Sequence, residues 1–504
     1  MKYLYLTEQI RTAEHDAVAQ LGVSLAQLMQ RAAQACLVQL QAHHAAPAKV
    51  TVICGPGNNG GDGWVLARLA RQAGYQVQVF AAPPQTELAQ LAARAWHEQG
   101  ATSQPLTALS TAHVATSDVI VDALFGRGLN RPVTADYAQC IDCINSASQR
   151  GWVMSVDVPS GLCSDTGQPR GCAVKADCTV VFIGLTMGLV TGQAAHYGGK
   201  VVLAELGIAT IIQQQTPLAE VLDGAHVSQC LPPRQATAHK GHFGHLLIIG
   251  GGPGMSGAAV LAGRAALRTG AGKVSIACHS NSQTAIAAAQ PELMVHSAEE
   301  AVNLLLGSAD VVVIGPGLGQ SAWAQQLVEQ VCQWSGTIVW DADALNLLAT
   351  MRPTKPTASE WLFTPHPGEA GRLLGLSTAT IEENRWQALT QICQNFQAHA
   401  LLKGAGTLVK VANQSSGWVC RRGSPALATG GSGDVLSGVL GALLAQRLPV
   451  AAALTSAVWV HAVAGELAAG DGERGTIASD LLAPLRQLVN PAQWSQHLGV
   501  IDVE

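Results

Sequence analysis

Residues 430–445 read GGSGDVLSGVLGALLA: a glycine-rich turn closed by Asp434, then a run of small and apolar residues that reads as a helix. Backbone N–H groups in such a turn, backed by a helix N-terminus, form an anion cradle. An aspartate at the edge of that cradle is expected to stay ionised at neutral pH. It can take a proton from an alcohol while the cradle holds a phosphate. On pattern alone, an ordinary Asp near a helix start would look the same. Upstream, Lys403-Gly404-Ala405-Gly406-Thr407 supplies a second glycine loop with one Lys and one Thr, groups that suit a nucleotide's phosphate tail.

Outward from this stretch, short β-rich runs alternate with Ala/Leu-rich helical periods along nearly the whole chain, which predicts parallel α/β architecture. Strands are expected at 50–54, 76–80, 119–122, 152–157, 179–183 and 201–206, behind an opening helix over about 7–41. A polar stretch at 211–223, with Gln213-Gln214-Gln215, breaks the alternation. A second series follows at 245–249, 273–277, 310–314, 337–340, 361–364 and 400–403. The expected division is therefore two α/β domains, 1–212 and 222–495, with 213–221 as the linker.

A chain of 504 residues can bury two cores. Only 12% of residues are charged and 48% are hydrophobic, which suggests surface buried between domains or subunits and a homo-oligomer. The net charge of −5, without a basic block, argues against nucleic acid as a partner. Twelve cysteines are scattered, and the one CxxC (Cys140, Cys143) has no second pair. That disfavours a zinc site or disulfide scaffold and favours reduced thiols in a cytoplasmic protein. Met1-Lys2-Tyr3 begins no apolar signal region. The uncharged stretches 178–199 and 241–263 are broken by Gly, His, Thr or Pro, so no membrane span is expected.

In the first half, three loops each follow an expected strand: GPGNNGGDG at 55–63, DALFGRGLNRP at 122–132 and DVPSGL at 157–162. Carboxyl ends of parallel strands share one edge, so all three loops can line one crevice. Their glycines allow close backbone approach to phosphate, and Asn58, Asn59, Asp62, Asp122, Asp157 and Ser160 add hard oxygens suited to an alkali or alkaline-earth cation. Each loop alone could be an ordinary turn.

These motifs, with TGQAAHYGG at 191–199, resemble the epimerase domain of the NAD(P)H-hydrate repair enzymes over almost all of 1–212. The resemblance implies a Rossmann-like αβα sandwich that interconverts R and S forms of NADHX and NADPHX, cofactors hydrated at carbon 6 of the nicotinamide ring. It implies substrate contacts from Asn58, Asn59, Gly60, Gly61 and Asp62, and from Gly126, Arg127, Gly128, Leu129, Asn130, Arg131, Pro132 and Tyr137. It further implies Asp157 as the acid/base, and a potassium ion held by Asn59, Asp122 and Ser160. Arg127 stands where relatives often carry Thr.

In the second half, Gly252 to Gly257 matches GxGxxG, but a dinucleotide fingerprint needs an acid some twenty residues on, and none occurs from Gly241 to Pro291. GPGLG at 315–319, DADALN at 341–346, TPHPGE at 364–369, KGAGT and GGSGD resemble the dehydratase half of the same family, a ribokinase-like α/β domain. The whole chain then resembles the fused bacterial form. By that resemblance Lys403, Gly404, Ala405, Gly406, Thr407 and Gly433 grip ADP, while Ala258, Gly317, His366 and Asp434 face the hydrated nicotinamide. Asp434 would be the catalytic base, and a magnesium ion would ride mainly on nucleotide oxygens. Two alternatives remain open: a vitamin or sugar kinase whose product keeps its phosphate, and a first domain that only binds.

Overall fold

The computed structural model describes residues 2–146 and 151–494; residues 1 and 495, the outer limits of the expected domains, lie outside them. The chain divides into two compact units, Lys2–Glu220 and a second beginning at Val221.

In the first unit the strands are β1 (Lys2–Tyr5), β2 (Lys49–Cys54), β3 (Gln76–Ala81), β4 (Gln104–Pro105), β5 (Val119–Ala123), β6 (Trp152–Val156), β7 (Cys178–Phe182), β8 (Leu185–Thr186) and β9 (Lys200–Ala204). Seven form an all-parallel sheet in the order β4-β3-β2-β5-β6-β7-β9. β1 pairs with β8 in parallel. The chain steps outward from β2 in one direction and from β5 in the other. The crevice of a doubly wound sheet opens at that switch point, where residues 55–63 and 122–132 emerge.

Close packing accounts for several of the glycines of 55–63. The helix Asn58–Gln72 lies so near the sheet that a Cβ at Gly60 would stand 1.9 Å from the Gly55 carbonyl oxygen. One at Gly63 would stand 2.6 Å from the Ala123 Cβ and 2.9 Å from the Cys54 Sγ.

The single opening helix expected over 7–41 is two helices, Thr7–Leu21 and Leu25–His43. Gly22, at φ 64°, ends the first, and Ser24 caps the second by accepting from Gln27 N at 3.2 Å. The 211–223 stretch is not irregular throughout, because Ala219–Val221 forms a short strand, β10.

The second unit contains β11 (His245–Ile249), β12 (Lys273–Cys278), β13 (Met294–Ser297), β14 (Val311–Ile314), β15 (Thr337–Trp340), β16 (Glu360–Phe363), β17 (His399–Leu402), β18 (Thr407–Lys410) and β19 (Gly417–Cys420). Their order is β13-β12-β11-β14-β15-β16-β17-β18-β19, parallel up to β17 and antiparallel beyond it. Here the switch point falls between β11 and β14. The GxGxxG turn is zipped to its neighbour: Gly251 N donates to Pro316 O at 2.9 Å and Gly252 N to Gly317 O at 2.7 Å. Those amides serve the fold, in keeping with the failed fingerprint.

The stretch GGSGDVLSGVLGALLA becomes the helix Ser432–Ala445, buried at every position from Val435 to Ala445. A helix apolar on all sides belongs in a core. Two glycines let it approach its neighbours. A Cβ at Gly441 would meet Val313 Cγ2 at 2.6 Å on the sheet, and one at Gly438 would meet the Ala262 carbonyl oxygen at 2.1 Å on the helix Ser256–Thr269. Among the described residues one helix, Val450–Ala468, is long and apolar enough to cross a membrane, and 72% of its most apolar 18-residue window is buried.

Gly438→Ala tests this seating. Helix propensity favours the change by about 1 kcal/mol, whereas overpacking against a backbone carbonyl costs about 1–3 kcal/mol. A lower midpoint in urea unfolding is therefore expected, and an unchanged or higher one would show that the helix has room to shift.

Candidate active sites

In the first unit, Asp122 is fully buried at the end of β5 and latches two loops together. Its Oδ1 accepts from the Ser160 hydroxyl at 2.5 Å, and its Oδ2 accepts from the Ser155 hydroxyl and from Ser160 N, both at 2.8 Å. Burial raises its pKa, with these hydrogen bonds opposing the rise. Phe125 N donates to the Ser160 hydroxyl at 2.8 Å, which fixes the loop leading to Gly126.

Asp157, just past β6, sits in the left-handed region at φ 68°. Its Oδ2 accepts from Arg127 N at 3.0 Å and from Arg127 Nε at 3.1 Å, and Nη2 lies 2.7 Å from Oδ1. The guanidinium also donates to Phe182 O at 3.0 Å. Arg127 thus turns inward onto a carboxylate. Both side chains are about one-tenth exposed (9% and 10%). A Cβ at Gly126 would stand 2.7 Å from Asp157 Oδ2 and 3.1 Å from Asn59 Oδ1, so these three positions converge. Both amide atoms of Asn59 are buried without a hydrogen-bond partner among the described residues. An orphaned buried amide is costly unless a ligand completes it.

Burial also pushes Asp62 well above the usual carboxylate range, reinforced by the charges of Asp157 and Glu14. Glu14, from the first helix, is raised by burial too, and nothing in its sequence context marks it. Of the remaining expected residues, Gly61 is buried against Met29, Leu129 is half-buried, and the others form a rim. Asn58, Gly128, Asn130, Arg131 and Pro132 are exposed, and Tyr137 sets its ring edge-on to Phe125 at 4.7 Å.

In the second unit the site gathers around an ammonium. Lys403, after β17, lies 3.0 Å from Asp341 Oδ1 and 3.7 Å from Glu369 Oε2. Asp341, only 1% exposed, also accepts from the hydroxyls of Thr364 and Ser437, each at 2.7 Å. Burial works against the charge on Lys403, but Asp341 and Glu369 outweigh it and its pKa lies above the ordinary value. A Cβ at Gly433 would be 3.4 Å from its Nζ, so KGAGT and GGSGD meet at this group. Sequence reasoning quoted the motifs holding Asp341, Thr364 and Glu369 without assigning these residues a role.

Asp434 is not the plainly ionised carboxylate expected. Burial first, then the charge of Asp341, push its pKa up to about 7. That rise from the ordinary 3.8 is worth ~4 kcal/mol, far above the ~0.3–1 kcal/mol offered by the helix N-terminus. Below its turn, the buried His461 is held at about 4 by burial, so the neutral ring donates from Nε2 to Ser432 O at 2.9 Å.

His366 is a helix cap as well as a candidate ligand: its Nδ1 accepts from Gly368 N at 3.0 Å and Glu369 N at 3.3 Å, and its Nε2 lies 3.4 Å from Glu369 Oε1. Ala258 and Gly317 come together, a Cβ on Gly317 falling 3.0 Å from that of Ala258. KGAGT is a hairpin turn between β17 and β18, closed by the Thr407 hydroxyl on Gly404 O at 3.0 Å. Gly404, at φ 137°, rests on the Arg385 guanidinium; Gly404 and Ala405 are exposed, and Gly406 has φ 65°. No cluster of three His, Cys, Asp or Glu side chains suited to a metal ion occurs among the described residues.

Known proteins match both halves. The family described as NAD(P)H-hydrate dehydratase matches residues 246–486, and the YjeF-related protein N-terminus family matches 25–188. The bifunctional NAD(P)H-hydrate repair enzyme Nnr of Coxiella burnetii is 43% identical over 495 residues, covering 97% of this chain and all of the relative. The protein of the same name in Escherichia coli is 40% identical, covering 97% of this chain and 94% of its own length. A solved ribokinase-like superfamily protein from Enterococcus faecalis superposes with a TM-score of 0.51 at 26% identity, covering 55% of this chain and 97% of its own.

Removing Lys403 strands a buried carboxylate. Lys403→Met should therefore cost about 3–5 kcal/mol in urea unfolding at pH 7, and adding Asp341→Asn should recover most of it. A loss below about 1 kcal/mol would show that the pair is effectively solvated.

Proposed function

Because this chain belongs to the bifunctional NAD(P)H-hydrate repair enzymes, we propose that each crevice carries one half of a single repair. Residues 1–212 would epimerise R- and S-NAD(P)HX, residues 222–495 would dehydrate the S form using ADP, and 213–221 would join them. The observation that most supports the second assignment is the ammonium of Lys403 beside Gly433, among Asp341, Glu369 and Asp434. It presents one fixed positive charge to a phosphoryl group and a titratable carboxylate to a hydroxyl.

In the dehydratase, Asp434 would take the proton of the carbon-6 hydroxyl as its oxygen attacks the terminal phosphorus of ADP. The bond from that phosphorus to the bridging oxygen breaks, and AMP leaves. The phosphorylated carbon then loses phosphate together with a proton from carbon 5, which restores the ring double bond and NAD(P)H. The N–H groups of residues 431–433 would stabilise charge on the moving phosphoryl. With Lys403 as the only cation of KGAGT, the shorter tail of ADP suits the loop better than ATP. A bound magnesium ion would neutralise phosphate charge. That ion would be carried mostly by nucleotide oxygens.

In the epimerase, Asp157 would move the proton at the hydrated carbon, and Arg127 would hold its carboxylate in one orientation. The unpartnered amide oxygen of Asn59 fits a weakly hydrated potassium ion shared with Asp122 and Ser160, whose positive charge would help orient the substrate. All twelve cysteines are free, which suits a cytoplasmic setting.

The experiment is recovery of 340 nm absorbance from racemic NADHX, with and without ADP, while free phosphate is measured. One phosphate per NADH is expected; a stable phosphorylated product without free phosphate would favour the kinase alternative. Asp434→Asn should abolish dehydration and spare epimerisation. Asp157→Asn should leave S-NADHX dehydration intact while racemic substrate stalls near half conversion. Loss of both activities in either folded variant would overturn the two-site assignment.

The pH dependence has a definite sign. If Asp434 acts as a base with its pKa near 7, kcat/KM for dehydration rises through pH 6–8 with its midpoint near 7. A flat profile over that range would remove Asp434 from the proton-accepting role.

A further inference from the structure

At the opposite edge of the second sheet lies an open depression of about 860 Å³, and no carboxylate lines it. Lys355 precedes β16, Gln397 precedes β17, and Lys410 ends the antiparallel β18 opposite Ala400. The depression therefore sits at the amino ends of the parallel strands. Lys403, just past the end of β17, lies three residues beyond Ala400, ~10 Å away by strand rise.

Lys410 is only 6% exposed, yet among the described residues its ammonium forms no ion pair with a carboxylate. It donates to the carbonyl oxygens of Gln414 at 2.8 Å and Ser415 at 3.4 Å, and rests over the Trp386 ring at 5.1 Å. Lys355, half-buried, donates to Gln397 O at 2.7 Å. Glu360 is the carboxylate that acts on Lys355, and it is itself engaged by His399 Nε2 at 3.1 Å. The hydroxyl of Thr390, which lines the same depression as both lysines, is buried without a partner among the described residues. Gln394 and Asn413 add amide donors to the same wall.

We propose that this depression binds a small phosphate-type oxyanion, either inorganic phosphate or a phosphate monoester, between Lys355 and Lys410. A nearly buried ammonium held by two carbonyl dipoles and the face of Trp386, with no carboxylate lining the depression, keeps a formal charge without a counter-ion, and burying one is expensive unless a counter-ion completes it. Each ammonium has three donors. Lys410 spends two and Lys355 one, so three N–H groups remain, joined by the Thr390 hydroxyl. That set can surround a tetrahedral oxyanion. Burial lowers the pKa of both lysines, as an unpaired cation requires, and an oxyanion would reverse the effect. The site stands apart from the catalytic edge, although the two share a helix. Arg385–Phe396 carries Thr390 and Gln394 at the depression, while its first residue, Arg385, donates to Leu402 O at 3.3 Å and Lys403 O at 3.1 Å.

The test is equilibrium dialysis of labelled inorganic phosphate against the full chain at fixed ionic strength, with saturating ADP blocking the catalytic edge. One phosphate per chain is expected. Lys410→Met and Lys355→Met should each weaken it at least tenfold, and Thr390→Val severalfold, with ADP-dependent dehydration in phosphate-free buffer unchanged. Lys410→Met replaces a buried charge with a neutral chain of similar length, so its Tm in chloride buffer should match or exceed the wild type. Lys355→Met, on a half-exposed side chain, guards against a folding defect. Competition by ribose 5-phosphate below the phosphate concentration needed for half-saturation would mark a monoester as the preferred form, and its failure would mark the free ion. No phosphate bound, or binding untouched in both lysine variants, would overturn the site.

Discussion

The second unit is organised around one buried cation. Lys403 reaches Asp341 and Glu369 from a hairpin turn, and Asp341 in turn holds two hydroxyls, that of Thr364 just past β16 and that of Ser437 within the helix Ser432–Ala445. Three segments distant in sequence are tied to one carboxylate. In a low-dielectric pocket such an arrangement tolerates little misplacement, because each member removed leaves a polar partner unsatisfied. The glycines of the Ser432–Ala445 helix serve this end: only a helix seated that close to its neighbours delivers Ser437 and Asp434 to the same acid.

The first unit reaches a related solution on a different sheet. Arg127 stands among Asp157, Asp62 and Glu14, one guanidinium against three acids. Burial raises Asp62 and Glu14 in pKa, and Asp157 keeps the direct contact. Both sites thus confine more carboxyl groups than cations, a composition that favours the protonated form of some of them.

Much of this was legible from residue order. Alternating β-rich and helical runs marked all twelve expected strands to within two residues, and the crevice loops follow from where those strands end. What escaped notice has physical reasons. The break at Gly22-Val23-Ser24 carried its own signals, a glycine stop and a Ser/Gln capping box, but a long amphipathic period masked them. Asp341 looked like an ordinary acid at a helix start, because its partner Lys403 lies 62 residues away. Asp434 was read as ionised since local sequence shows a helix N-terminus but not burial or the facing Asp341. Glycines at 55–63 were read for a ligand, whereas several answer to helix–sheet contact.

Asp157 has a further meaning in its backbone. At φ 68° few side chains are comfortable, and Asn, Asp and Gly are the ones that tolerate it. Two filters therefore act on this position in sequence. Geometry admits three residues, and chemistry selects the single one that carries a charge. A lineage released from the need for epimerisation could drift to either of the other two without disturbing the sheet or its loops. The scaffold would survive the loss of its reaction, and a folded, ligand-sized crevice would be left for some other use.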